Sequence, residues 1–336
     1  MHGHDSSKTA PNYFEAQRFS FISWTEPSLP LRLAKKIWHF EMLHHLQNEW
    51  QRLVNDISQV HQEPIFVSAD VIKGRLLPSI VIIAILLTLL YIASFSIVHK
   101  FVAPDVSAKR KSKVCYQITN ICFNVVIGSV GVYLEYWVLP TLSVDELSRV
   151  GKIIGHEKEL FMVSALQLGY QLWAIPIGVF YVGESTEMIL HHLAVVVSGF
   201  TSGFLSIGFR YYCPFFYGIM ELSSLPLSVM NSFKDNPEWI EKYPKAYELS
   251  RAIFAISFLT IRNVMCASRW PWFLRDNAIV FYTKEMGFYK IFMFVQVSLA
   301  FFLAYLQLLW GSIIIRNILK TFVTSKGGQK EQSKQD

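Results

Sequence analysis

Charge is scarce in this sequence. Asp, Glu, Lys and Arg make up 17% of its 336 residues, against about 25% in a soluble domain, and that deficit excludes an ordinary soluble protein. Cysteine is scarce too: Cys115, Cys122, Cys213 and Cys266 stand apart, with no CxxC and no paired spacing, which argues against zinc sites and a disulfide framework. Residues 1–30 have neither the apolar core of a signal peptide nor an Arg-rich, acid-poor presequence, so the start of the chain is expected to be retained. No internal repeat is visible, and inverted-repeat transporters lose support. Nor is there a second histidine cluster within an apolar run, as a membrane di-iron enzyme requires. The formal net charge is +6, yet the basic residues sit in short clusters beside apolar runs. That pattern fits loops at an anionic membrane surface rather than a nucleic-acid groove, so no nucleic-acid partner is expected.

What the sequence does have is apolar length. Hydrophobic residues make up 52% and the mean hydropathy is +0.32. Runs of about 20 residues, enough to cross a bilayer, are expected at 78–99, 115–139, 161–181, 188–208, 211–230, 246–268 and 286–315. The fold class is therefore all-α, a polytopic membrane protein of about seven transmembrane helices. Ahead of them, residues 1–77 form an extension. Within it Leu43, Leu46, Trp50, Leu53 and Ile57 recur at steps of three and four on one stripe. That amphipathic helix suits either a protein partner docking through 31–57 or the lipid interface. The first span, with its following basic loop, makes an anchor over 78–109. Lys109, Arg110, Lys111 and Lys113 mark that loop as cytosolic by the positive-inside tendency, which leaves the N-terminus lumenal. Residues 321–336, rich in Gly, Gln and Lys, are expected to be a disordered cytosolic tail.

Ionisable and polar groups inside hydrocarbon are costly and so informative. His191 and His192 stand about one turn inside the fourth span, projecting about 100° apart. They do not form a metal site from one helix, and no cofactor is implied. Gly199 and Gly203 in the same span read as a packing surface. In the fifth span Glu221, Ser224 and Ser228 share a face, and Pro226 should kink the helix. Arg251 and Arg262 in the sixth span fall about three turns apart on one face. At about 1.5 Å per residue, Glu221 and Arg262 come to similar depth, Arg251 falls nearer the histidines, and Glu221 stays about 9 Å below them. Asn120 and Asn124 on the second span, with Gln167 and Gln171 on the third, add i, i+4 polar stripes. A central polar-lined cavity is expected, bounded by His191, His192, Glu221, Ser224, Ser228, Arg251, Arg262, Asn124 and Gln171.

These residues resemble the TLC-domain membrane proteins, whose best-known members are the ceramide synthases. The resemblance covers about residues 110–320. It rests on the His191-His192 pair opening a span, Arg210 after it, Glu221-Leu-Ser-Ser-Leu-Pro at the next, Arg262-Asn263 late in the sixth, and Gln307-Leu-Leu-Trp310 near the end. It implies an endoplasmic-reticulum-type protein with six TLC helices around a cavity suited to an acyl chain. It departs from the ceramide synthases where their His-Asp-x-x-Asp pattern would fall, since this chain has Gly218-Ile-Met-Glu221-Leu-Ser there. The sequence therefore looks nearer to TLC proteins of membrane lipid homeostasis, binding a lipid or acyl chain. Two other readings stay open: an acyl-CoA-dependent N-acyltransferase with His191 or His192 as base and acyl-CoA as substrate, and a structural subunit of a larger membrane complex.

Overall fold

The computed structural model describes residues 41–44, 47, 48, 51, 66–102, 106–142, 149–154, 158–282, 287 and 289–332. The chain divides into two units, Met1–Gln51 and Arg52–Asp336. In the first, the described residues are helical and Leu43 is exposed. Leu46, Trp50, Leu53 and Ile57 of the expected stripe lie outside the described residues.

In the second unit the described chain is helical apart from its connections and one isolated bridge between Phe66 and Leu205. Hydrocarbon dictates this, because a helix satisfies every backbone N–H and C=O within the segment. Among the described residues five helices are long and apolar enough to cross a membrane: α1 (Ala69–Lys100), α2 (Ala108–Thr141), α4 (Leu160–Val182), α8 (Pro244–Ala278) and the Tyr289–Lys320 part of α9 (Tyr289–Gln332). Between α2 and α4 lies the short α3 (Arg149–Ile154). The fourth stretch expected to span is α5 (Thr186–Phe204), made less apolar by Glu187, His191 and His192. The fifth is not one regular helix. It runs as a 3₁₀ turn at Arg210–Tyr212, a π turn at Pro214–Gly218 and a second 3₁₀ turn at Ile219–Ser223 before α6 (Ser224–Lys234). Pro226 sits in the first turn of α6, so the irregularity comes before it rather than at it. A one-turn-and-a-half helix, α7 (Pro237–Lys242), links α6 to α8. Where disorder is expected from residue 321, α9 continues as helix to Gln332, through Gly327 and Gly328.

The helices close a ring. α2 packs on α4, α4 on α5, α5 on α9, α9 on α8, α8 on α6, and the irregular segment with α6 returns to α2. α1 stands outside against α4 and α2. Its exposed Val81, Ile82, Ile85, Leu89 and Ile92 form a lipid-facing surface, while Ile80, Leu87 and Tyr91 pack inward. The return to α2 is a backbone contact: a Cβ on Gly131 would fall 2.6 Å from the Gly218 Cα.

Each end of the ring is tied differently. At one end the basic residues expected in a loop form the first turns of α2. Arg110 bonds the Asp235 carbonyl at 3.0 Å and the Glu238 carboxylate at 2.6 Å, and Lys113 pairs with Asp235 at 2.7 Å. The hydrogen bond from Arg110 holds the Glu238 carboxyl below the ordinary carboxylate range. At the other end α3 plugs the ring. The Phe209 N–H donates to the Ile153 carbonyl at 2.8 Å, and Ile153, Ile207, Phe209, Tyr212, Phe273 and Met293 form one buried cluster.

Candidate functional site

Two cavities lie inside the ring and share the side chains of His191, Glu221 and Arg262. The first, about 500 Å³, opens toward the basic end and has Lys113, Lys234 and Asp235 at its rim and Asn120, Asn124, Gln171 and Ser228 in its walls. Its size falls within the roughly 300–1,000 Å³ of small-molecule sites. The second is an apolar channel of about 80 Å³, lined by Val195, Phe209, Met220, Phe273, Ala300 and Leu303 among others.

Arg262 is placed between them by a π-helical stretch of α8, Phe258–Met265. Its Nε donates to Ser223 Oγ at 2.6 Å, and one terminal nitrogen reaches Ser224 Oγ at 2.9 Å and Glu221 Oε2 at 3.2 Å. Ser224 in turn donates to Glu221 Oε2 at 2.7 Å. Glu221 and Arg262, expected at similar depth, are paired, and each acquires the partners that burial demands.

Glu221 lines both cavities with His191, on a segment whose π and 3₁₀ turns from Pro214 to Ser223 depart from the 1.5 Å per residue of an α-helix. Arg251 is placed otherwise than expected. This residue is exposed, lies over the Tyr247 ring at 5.6 Å and lines neither cavity. The π stretch between positions 251 and 262 rotates the helix register, so the two arginines do not share a face. The other expected residues, His191, His192, Ser224, Ser228, Asn124 and Gln171, all line the larger cavity.

The histidines differ in their partners. His192 is buried; its Nδ1 meets Gln171 Oε1 at 2.7 Å and its Nε2 faces Glu184 Oε2 at 3.3 Å. His191 stacks edgewise on Trp310 with centroids 5.8 Å apart, and its Nδ1 is buried without a hydrogen-bond partner. Tyr116 Oη and Asn124 Oδ1, also in the cavity wall, lack partners too. Buried polar atoms are ordinarily satisfied, and His192 Nε2 and Glu184 Oε2 in the same wall likewise have no hydrogen-bond partner among the described residues. At the rim, burial and the nearby Arg251 push the Lys234 ammonium below its ordinary range.

Sequence reasoning misses Glu184. A left-handed Gly183 (φ +72) turns the chain after α4, and the Gly183 and Glu184 N–H groups both donate to the Gly178 carbonyl, at 2.8 and 3.0 Å. The Glu184 carboxylate then folds over Gly178, where an added Cβ would lie 2.8 Å from its Oε2. The Gly178 and Gly183 pair bracketing an apolar turn is the only signal in the sequence. Also missed is a polar seam in the channel wall: Gln296 donates to Ser198 at 2.6 Å, and Ser198 meets Tyr217 Oη at 2.6 Å. Arg210 lies off both cavities and donates to the Leu205 carbonyl at 2.5 Å, capping the end of α5.

A ring of apolar helices around a polar chamber and an adjoining, mostly apolar cavity defines an integral membrane protein with an interior site. Residues 111–316 match the TLC domain. The chain belongs to the TLC-domain family, which points to a membrane lipid-related function. No curated protein and no solved structure gives a significant match.

Proposed function

We propose that the chain binds one membrane lipid or acyl chain inside the ring, the polar head in the chamber by His191 and His192 and the tail in the apolar channel, and serves membrane lipid homeostasis in the endoplasmic reticulum. The observation that carries this reading is the junction at His191, Glu221 and Arg262, where a polar cavity meets an apolar one. An amphiphile has the same polarity profile. At about 80 Å³ the channel is narrower than a preformed small-molecule site, so an entering tail must displace flexible side chains such as Met220 and Leu303. Mass spectrometry of lipid retained by the purified chain tests the proposal. One lipid class should co-purify near stoichiometrically, and His191→Ala or His192→Ala should lower its amount. Equal retention by both variants and the parent would contradict it.

A second reading, N-acyl transfer from acyl-CoA, is favoured by the contact of His192 with Glu184. General-base activation needs an imidazole with a polarising partner, and Glu184 supplies one that the sequence pattern at Glu221 lacks. The amine nitrogen would attack the thioester carbonyl and pass its proton to the imidazole. The C–S bond would break, and the proton would return to the departing thiolate. Acyl transfer by the purified chain that survives the double substitution of His191 and His192 by Ala would rule out this base assignment.

A further inference from the structure

A third cavity, about 260 Å³, opens at the end of the ring opposite the basic rim, between Glu135, Lys152, Tyr211, Tyr212, Arg269 and Trp272. Glu135 stands 25 residues beyond Arg110 on α2, about 38 Å along the helix. Beside it Tyr133, Tyr136 and Trp137 are exposed, as is Trp272 in the cavity wall. Aromatic residues collect at the membrane–water interface, which sets this cavity at headgroup depth.

Its charges do not cancel. Glu135 is paired with Arg269. The fully buried Asp276 accepts from Tyr212 Oη at 2.6 Å and from Arg275 at 3.0 and 3.1 Å. Both acids are therefore hydrogen-bonded by other partners, and Lys152 is held to them only by a long ion pair. Its ammonium lies 4.0 Å from Asp276 Oδ2 and 4.8 Å from the Tyr211 ring centroid, and it makes no hydrogen bond among the described residues. Only 19% of its side chain is exposed, so the group faces the cavity instead of bulk water. Among the described residues three cations, Arg269, Arg275 and Lys152, stand against two carboxylates, Glu135 and Asp276, which leaves one positive charge in excess, and the Lys152 ammonium donates no hydrogen bond. Such a group fits an anion with several acceptor oxygens, and lysine binds phosphate as a point charge.

We propose that this cavity holds the phosphate of a membrane lipid from the leaflet opposite the basic rim, with Lys152 as its principal ligand and Arg269 beside it. The site is separate from the chamber at His191 and needs no chemistry there. The test is native mass spectrometry of the full chain in detergent, titrated with dioleoyl phosphatidic acid and, separately, with inorganic phosphate. Lys152→Gln should weaken phosphatidic acid binding about tenfold or more, as loss of a charge-assisted hydrogen bond does. Lys152→Arg should preserve it, as should Lys242→Gln on the exposed surface of α7. Inorganic phosphate that competes with the lipid identifies a headgroup pocket sufficient in itself; lipid binding without such competition shows that the tail is also required. Binding unchanged in Lys152→Gln, or reduced equally by Lys242→Gln, would overturn the proposal. As a check that needs no substitution, a photoreactive phosphatidic acid should label the wild-type chain at Tyr211 or Trp272, and labelling elsewhere alone would overturn it too.

Discussion

One guanidinium, that of Arg262, ties α8 to the Ser223, Ser224 and Glu221 side chains of the irregular segment and α6. Removing one member of a buried pair leaves the other uncompensated, at a cost of about 3–5 kcal/mol, whereas replacing both by neutral groups costs less. Arg262→Met should therefore lower the melting temperature in detergent sharply, and adding Glu221→Gln should restore part of the loss. An equal or greater loss in the double variant would show that the pair is not the source. Glu184 separates the two functional readings. Glu184→Gln removes the charge facing His192 at 3.3 Å while keeping the side chain's shape. If the site only binds, lipid retention should persist; if it transfers acyl groups, turnover should fall while retention persists. The pairing of Glu221 with Arg262 was legible in the sequence because ionisable residues inside apolar runs must find partners. Glu184 was not, since an acid next to a helix start has an ordinary explanation in the helix dipole, and only the fold of Gly178 and Gly183 directs it inward.

Among the elements, the long apolar runs were legible because hydrocarbon thickness and backbone satisfaction leave helices as the answer. The segment from Arg210 to Ser223 was not. Composition there is as apolar as in its neighbours, and its π and 3₁₀ turns depend on Pro214, on Gly218 and on how closely α2 approaches. Glycine pattern alone also misjudges where the tight contact lies. The Gly199 and Gly203 pair is the visible motif, yet a Cβ at Gly203 would meet nothing nearer than 3.5 Å, while one at Gly131 would strike the Gly218 backbone at 2.6 Å. Gly131→Ala is thus expected to cost about 1–3 kcal/mol through overpacking against backbone that cannot yield. Gly203→Ala should be close to neutral. Thermal unfolding of the two variants side by side checks this, and equal midpoints would contradict it.

At the scale of the whole molecule, the basic rim fixes how the ring should sit. Arg110 and Lys113 gather at one end with Asp235 and Glu238, and we propose from the positive-inside tendency that this end is cytosolic. Protease treatment of sealed microsomes should then remove a tag after Asp336 and spare one before Met1; the reverse pattern would invert the orientation and place the third cavity in the cytosolic leaflet. The central claim is that the ring encloses an acyl chain beneath His191. It is tested most directly by photocrosslinking a lipid with a diazirine at mid-chain to the full protein in native-like membranes and mapping the adducts by mass spectrometry. The account predicts adducts on Val195, Met220 and Leu303, competed away by unlabelled lipid. Adducts confined to outward-facing residues such as Ile85, Leu89 and Phe294, with none in the channel, would contradict it.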